Sequence, residues 1–153
     1  MLKNQIKKFS IIGIVLSTLG LIDSIYLTIV HYNTSVPLAC PETKFINCQK
    51  VTSSSYSMIG HIPITFFGIF FFLIFLILNL PVFWRTADQL IRLSRLIMIS
   101  LGLVSVFYLV YVELYKLNSI CLYCTGIHII VFILFISTIF GHLITNIQPE
   151  PEA

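Results

Sequence analysis

Charge is the scarcest property of this chain. Only 10% of its 153 residues are charged, against 58% that are hydrophobic, and the mean hydropathy is +0.99. So little charge excludes an ordinary soluble domain, which would also have no place for several separate runs of about 20 apolar residues. A nucleic-acid partner is excluded as well. The formal net charge of +3 comes from residues at the ends of apolar runs, with no basic stripe and no interleaved aromatics. Internal repeats, low-complexity segments and a soluble second domain are also absent.

What fills the chain is apolar sequence in four runs, which predicts an all-α integral membrane protein: a four-transmembrane-helix bundle forming a single domain over 1–153. The first span is 9–31, preceded by Lys3, Lys7 and Lys8. A cleaved leader would carry the same basic start, but this run is too long for one and lacks a small-x-small cleavage site. The other spans fall at 62–80, with Pro63 in the first turn where a missing N–H is tolerated, at 96–115 and at 120–144. Lys3, Lys7, Lys8, Arg85, Arg92 and Arg95 lie at the N-terminus and in the connection 81–95, whereas only Lys44, Lys50 and Lys116 lie in the other two connections. By the positive-inside rule this predicts a multi-pass protein of the cell (plasma) membrane with both termini cytoplasmic. Residues 81–95 then form a cytoplasmic loop and 32–61 an external one. Trp84 reads as an interfacial anchor. Val51, Ser55, Tyr56 and Ile59 recur at helical spacing and predict a short amphipathic helix roofing the spans, and 146–153 reads as a disordered tail.

In a four-span chain the first and third connections emerge on one side. Cys40 and Cys48 therefore share a face with Cys121 and Cys124, and the charge bias makes that face the extracytoplasmic, oxidising one. Spacing leaves all three possible pairings open. The Cys-x-x-Cys of Cys121 and Cys124 serves redox sites, zinc sites and haem attachment in different proteins. Haem attachment is excluded because Thr125, not histidine, follows Cys124. A zinc site built from all four thiols favours short spacers, whereas seven residues separate Cys40 from Cys48. Structural disulfides explain Cys40 and Cys48 easily but Cys121 and Cys124 poorly, because a bridge across one helical turn is strained and reducible. A helix N-terminus also favours a thiolate. The Cys-x-x-Cys reads as reactive.

A reactive thiol pair at a membrane edge points to an electron acceptor dissolved in lipid, and a quinone is the obvious small molecule of that kind. It requires an apolar pocket with one or two polar groups for the carbonyls. Phe66, Phe67, Phe70 and Phe71 in the second span, and His128 one turn below Cys124, are candidates to line it; plain packing bulk is the other reading of the phenylalanines. Asp23 lies deep in the first span. An ionisable residue there is a functional candidate by default, but a structural aspartate facing the bundle is the simpler reading. His31, His61 and His142 sit near span ends.

Cys-x7-Cys in the first external loop, together with Cys-x-x-Cys opening the last of four spans, resembles the vitamin K epoxide reductase family, in particular its bacterial and archaeal stand-alone members. Gly20, Ser24, Tyr26 and Leu27 in GLIDSIYL are similar to the end of the family's first span. Cys48, Val51, Ser54, Tyr56, Gly60, Pro63 and Gly68 in CQKVTSSSYSMIGHIPITFFG are similar to its loop and second-span signature. The likeness covers essentially the whole chain.

The resemblance implies a disulfide relay. A thioredoxin-like partner on the non-cytoplasmic side would pass electrons to Cys40 and Cys48. Those cysteines would exchange with Cys121 and Cys124, which would reduce a quinone such as menaquinone or ubiquinone, with no metal. By position Cys40 meets the partner, Cys48 attacks Cys121, and Cys124 is the thiolate facing the quinone ring, each exchange passing through a mixed disulfide. The family keeps a hydroxyl near the substrate where this chain has Ser54, and vertebrate relatives carry a substrate-contacting tyrosine where it has His128. The predicted quinone site is Ser54, Phe67, Phe71 and His128. There are two departures from the family pattern. The chain stops at QPEPEA without the thioredoxin-like domain fused to many members, which implies a separate partner. Residues 64–67 also lack the amide that vertebrate relatives use on the vitamin's carbonyl. Vertebrate-type epoxide reduction and a non-enzymatic membrane scaffold stapled by disulfides are the rival readings.

Overall fold

The computed structural model describes residues 2–33, 36, 38–85 and 88–147. Pro37 and residues 148–153 of the expected tail lie outside them. The elements run α1 (Leu2–Tyr32), α2 (Cys48–Thr52), a 3-10 turn (Ser55–Ser57), β1 (Met58–Ile59), β2 (Ile62–Pro63), α3 (Ile64–Leu78), α4 (Pro81–Arg85), α5 (Gln89–Tyr111), a π-helical segment (Val112–Leu117) and α6 (Leu122–Ile147). The long helices form where the sequence offers no proline to interrupt the backbone ladder, and in lipid that ladder must satisfy every N–H and C=O internally.

Three helical stretches are long and apolar enough to cross a membrane: Asn4–Tyr32, Gln89–Leu117 and Leu122–Ile144. The outward faces of these helices carry exposed Ile11, Ile22, Leu101, Val104, Phe132 and Phe140, a surface suited to lipid and not to water. The fourth apolar helix, α3, has 15 residues, or roughly 22 Å at the helical rise, against a hydrocarbon core of about 30 Å. It is shorter than the run 62–80 because Ile62 and Pro63 pair with Met58 and Ile59 in a small antiparallel hairpin. Gly60 turns that hairpin at φ +65°, a conformation that two-residue turns favour and that glycine adopts freely.

Other boundaries move for local reasons. The connection 81–95 is largely helical: α4 fills its start, and Asp88 caps α5 by accepting the Leu90 N–H at 2.9 Å. Helix α6 begins at Leu122 rather than Ile120, because Ile120 bridges to Ile46, and it continues through Asn146 and Ile147 of the expected tail. The amphipathic helix expected from Val51 to Ile59 is replaced by α2, the 3-10 turn and the hairpin. Hydroxyls in the serine cluster end α2 early: Ser53 Oγ donates to Gln49 O at 2.7 Å and Ser54 Oγ to Val51 O at 2.8 Å. Such side chains compete with the backbone for its own carbonyls.

The bundle closes on small residues. Ser10, Ser17, Ser24 and Leu27 of α1 are buried and, with Gly13 and Gly20, recur at three- and four-residue intervals on one face. Small residues let helix backbones approach where no hydrophobic effect drives them together. A Cβ on Gly20 would strike the Phe72 ring, one on Gly13 would strike Asn79, and one on Gly68 would lie 2.9 Å from Ser24 Oγ. Phe72 and Phe75 of α3 then pack with Ile99 and Val106 of α5 and with Val131 and Leu134 of α6.

At the end of the bundle nearer the N-terminus lies a buried polar cluster. Ser10 Oγ donates to Asn79 O at 2.6 Å, Trp84 Nε1 to Asn79 Oδ1 at 3.3 Å, and Arg95 Nη2 to Phe83 O at 3.2 Å. The Arg95 guanidinium stacks on the Trp84 ring, 3.9 Å from its centroid. Trp84 and Arg95 are thus buried at the helix junction, and the expectation of an interfacial anchor for Trp84 is corrected. Its ring finds a buried amide and a buried cation, which hold it more firmly than a headgroup would.

Gly20→Val should push Phe72 out of its groove and destabilise the protein by about 1–3 kcal/mol. Thermal unfolding in detergent should show a lowered midpoint, whereas Ile22→Val on the exposed face of the same helix should leave the midpoint unchanged.

Candidate active site

The loop after α1 is held by a short series of backbone and side-chain bonds. Thr43 closes a turn: its N–H donates to Ile46 O at 2.9 Å and its Oγ1 accepts the Ile46 N–H at 3.0 Å. That turn presents the loop edge to the segment before α6. Ile120 N–H donates to Phe45 O at 2.8 Å and Asn47 N–H to Ile120 O at 3.1 Å, so Ile46 and Ile120 form a parallel bridge. Asn47 then caps α2, its Oδ1 accepting the Lys50 N–H at 2.8 Å. Lys50 Nζ reaches across to Leu117 O at 2.7 Å, and Tyr123 Oη donates to Ala39 O at 3.1 Å. Both sides of the loop are tied to the same short stretch of chain.

These ties place the four cysteines together. Cys40 and Cys48 form a disulfide, with Cα atoms 6.2 Å apart. Cys121 and Cys124 are thiols, Cys121 fully buried and Cys124 partly exposed. Cys48, Val51 and Cys121 pack as one buried cluster, with Cys40, Cys124, Leu117 and Tyr123 against it. The Leu122 N–H points to Cys48 Sγ at 3.4 Å, and the Cys124 N–H points to Cys121 Sγ at 3.3 Å. Cys121 thus stands before the first turn of α6 as a sulfur cap, where N–H groups that would otherwise be orphaned favour a thiolate. The arrangement is chemically competent for exchange between the two pairs.

Beside this cluster opens a small, partly open cavity. Cys124 lines it, as do Ser54 from the loop and His128 from α6. Leu27, Leu109 and Val112 make much of the remaining wall apolar. Ser54 Oγ already donates to Val51 O, so it must turn from that carbonyl to donate to a ligand. His128 is largely buried, one turn after Cys124.

Two residues of the predicted quinone site, Phe67 and Phe71, lie away from this cavity. Phe71 stacks on Phe75 at 5.7 Å, meets Phe72 edge-on at 5.1 Å and lies over Gly102, inside the core. Phe67 is 47% exposed on the outer face of α3. Neither lines the cavity. Helix α3 reaches the cavity only through Ile64 and Thr65; Phe67, less than a turn on, points outward, and Phe71 lies nearly two turns beyond Thr65.

Sequence reasoning missed Glu113. It is 5% exposed, lines the same cavity, and its carboxylate accepts the backbone N–H of Cys121. It sits in the π-helical segment, a rare conformation that recurs at functional sites. The legible signal was an acidic residue inside the apolar run 96–115.

A sequence model of the vitamin K epoxide reductase family matches residues 11–139. The chain belongs to that family. No curated protein matches it. Members of the vitamin K epoxide reductase family are membrane oxidoreductases of thiols, disulfides and quinones, and the apolar helices agree with membrane residence. The family-like residues fall into two groups. Gly20, Ser24 and Gly68 make the α1–α3 contact, whereas Leu27, Val51, Ser54, Tyr56 and Pro63 line the cavity. A quinone fits this donor set: apolar walls for the ring, a hydroxyl and an imidazole for its oxygens, and a thiol at the wall. No group of three or more His, Cys, Asp or Glu able to hold a metal ion occurs among the described residues.

Asn47→Ala removes the cap of α2 at a cost of about 1 kcal/mol and loosens Cys48 from Cys121. Stopped-flow measurement of exchange between the two cysteine pairs should show it slowed, with the Cys40–Cys48 disulfide still formed on non-reducing mass analysis.

Proposed function

We propose that this protein is a membrane thiol–disulfide oxidoreductase that reoxidises a thioredoxin-like partner and delivers the electrons to a quinone, supporting disulfide-bond formation. The carrying observation is the packing of Cys48 against Cys121 while Cys124 lines an apolar cavity. Cys40, the least enclosed of the loop pair, receives the partner's thiolate. Cys48, once released, attacks Cys121 of an oxidised Cys121–Cys124 pair, and Cys124 becomes a thiol at the cavity wall. Cys40–Cys48 closed with Cys121 and Cys124 as thiols is the bonding pattern expected between internal transfer and discharge.

Ser54 and His128 orient the acceptor by hydrogen bonds to its oxygens. A bound quinone supplies the two-electron sink, and the protein's residues bind it, exclude bulk water and place Cys124 against it. In this reading α3, lengthened by the apolar residues around its ends, is the fourth span. Both termini are then cytoplasmic and the cavity opens on the extracytoplasmic side of the cell membrane, a topology supported by the distribution of Lys and Arg.

Expressed in cells, Cys48→Ala should accumulate a mixed disulfide between Cys40 and a thioredoxin-like protein, because no second loop thiol can resolve it. Cys124→Ala should accumulate the internal Cys48–Cys121 disulfide and reduce quinone at least about 100-fold more slowly. Absence of both trapped species, together with unimpaired quinone reduction, would end the relay reading.

A further inference from the structure

Glu113 is a carboxylate in a place that stability alone does not explain. An unpaired ionisable side chain buried in an apolar bundle is costly, and no basic side chain contributes to the electrostatics of this one. Its backbone carbonyl accepts the Ser119 N–H at 3.1 Å, and its carboxylate accepts the Cys121 N–H. The chain thus folds back over Glu113 through the π-helical segment and the left-handed turn at Asn118, φ 46°. The carboxylate is near enough to both Cys121 and Cys124 to interact with each electrostatically, and it shares the cavity with Cys124 and His128.

Quinone reduction by a dithiol must move protons as well as electrons. Both S–H bonds break, the S–S bond forms, one electron pair passes to the quinone and each quinone oxygen gains a proton. The cavity is walled mainly by apolar groups, so those protons need a carrier inside it. We propose that Glu113 is that carrier, a catalytic acid–base residue for the Cys121–Cys124 pair. As a carboxylate it takes the proton of one thiol, and as a carboxylic acid it gives that proton to one quinone oxygen, ending as it began. The proton of the other thiol passes to the second oxygen through the His128 ring. The proposal rests on the quinone-reductase reading and assigns a residue to it.

The titratable groups that interact with Glu113 or share its cavity include Cys121, Cys124 and His128 on the α6 side and His31 on α1. His31 is engaged with Thr52 O at 3.3 Å and Lys50 with Leu117 O. Neither offers the cysteine pair a second proton acceptor of like position.

Glu113→Gln keeps an oxygen that can accept the Cys121 N–H but cannot carry the proton; Glu113→Ala loses both. Purified proteins reduced at Cys121 and Cys124 would be mixed with a short-chain ubiquinone and followed through one turnover. Quinone-free protein would be alkylated with iodoacetamide across pH. Glu113→Gln should slow the single turnover about 100-fold while retaining the wild-type unfolding midpoint. Its alkylation-versus-pH profile should show one ionisation fewer than the wild-type profile, because thiol and carboxyl no longer titrate together. Glu113→Gln turnover within about 3-fold of wild type, with the alkylation profile unchanged, would overturn the proposal and leave the quinone-reductase reading standing. Wild-type protein that reduces no quinone would overturn both. A loss in Glu113→Ala that Glu113→Gln fully restores would mean a positioning role only and would likewise overturn it.

Discussion

The meeting of the cysteines depends on a two-hydrogen-bond bridge between Ile46 and Ile120. Without it, Cys48 and Cys121 belong to segments separated by α3 and α5 and have no reason to meet. The bridge is possible because the chain between the π-helical segment and α6 is extended for only a few residues, leaving the Ile120 N–H and C=O unpaired and facing the loop. Asn47 then turns the loop directly into α2, so that Cys48 lands on Cys121. A hydrogen-bonded backbone contact of this kind fixes register more sharply than apolar packing does, because a slip of one residue would leave buried polar groups unpaired.

Below the bridge the bundle solves a different problem. Lipid is as apolar as leucine, so burying leucine gains little, and cohesion comes from close backbone approach and from polar contacts inside. The serine and glycine face of α1 provides the first, with Phe72 and Asn79 filling the grooves over Gly20 and Gly13. The Asn79, Trp84 and Arg95 cluster provides the second. Polar side chains such as Ser10, Ser17, Ser24 and Asn79 are thus buried inside the bundle alongside its apolar core.

Much of this was legible in the sequence. Residue periodicity and the lack of charge gave the apolar runs to within a few residues at most ends, and the four cysteines stood out as the chemistry to explain, their pairing left open by spacing and supplied only by the family resemblance. Ser54, named from the family resemblance, and His128, one turn after Cys124, both line the cavity. That Phe71 packs in the core while Phe67 lies outside was not legible, because a uniformly apolar helix gives no signal of which face turns inward: α3 is phenylalanine on nearly every side, and only its neighbours decide. Trp84 and Arg95 were read as surface features because composition alone does not distinguish a cation at an interface from one stacked on a ring.

The sequence by itself determined the solvent this chain is built for, the number of its apolar runs and which sulfurs are candidates for its chemistry, because hydropathy and thiol chemistry are properties of residues. Only the tertiary structure decided which cysteine faces which, which aromatic rings pack and which lie outside, and that Glu113 comes to the back of the Cys-x-x-Cys. Those are properties of contacts between distant segments. A π-helical turn and a two-residue bridge leave no periodic trace in the sequence, yet they set the geometry in which the Cys124 thiol, a carboxylate and an imidazole share one cavity.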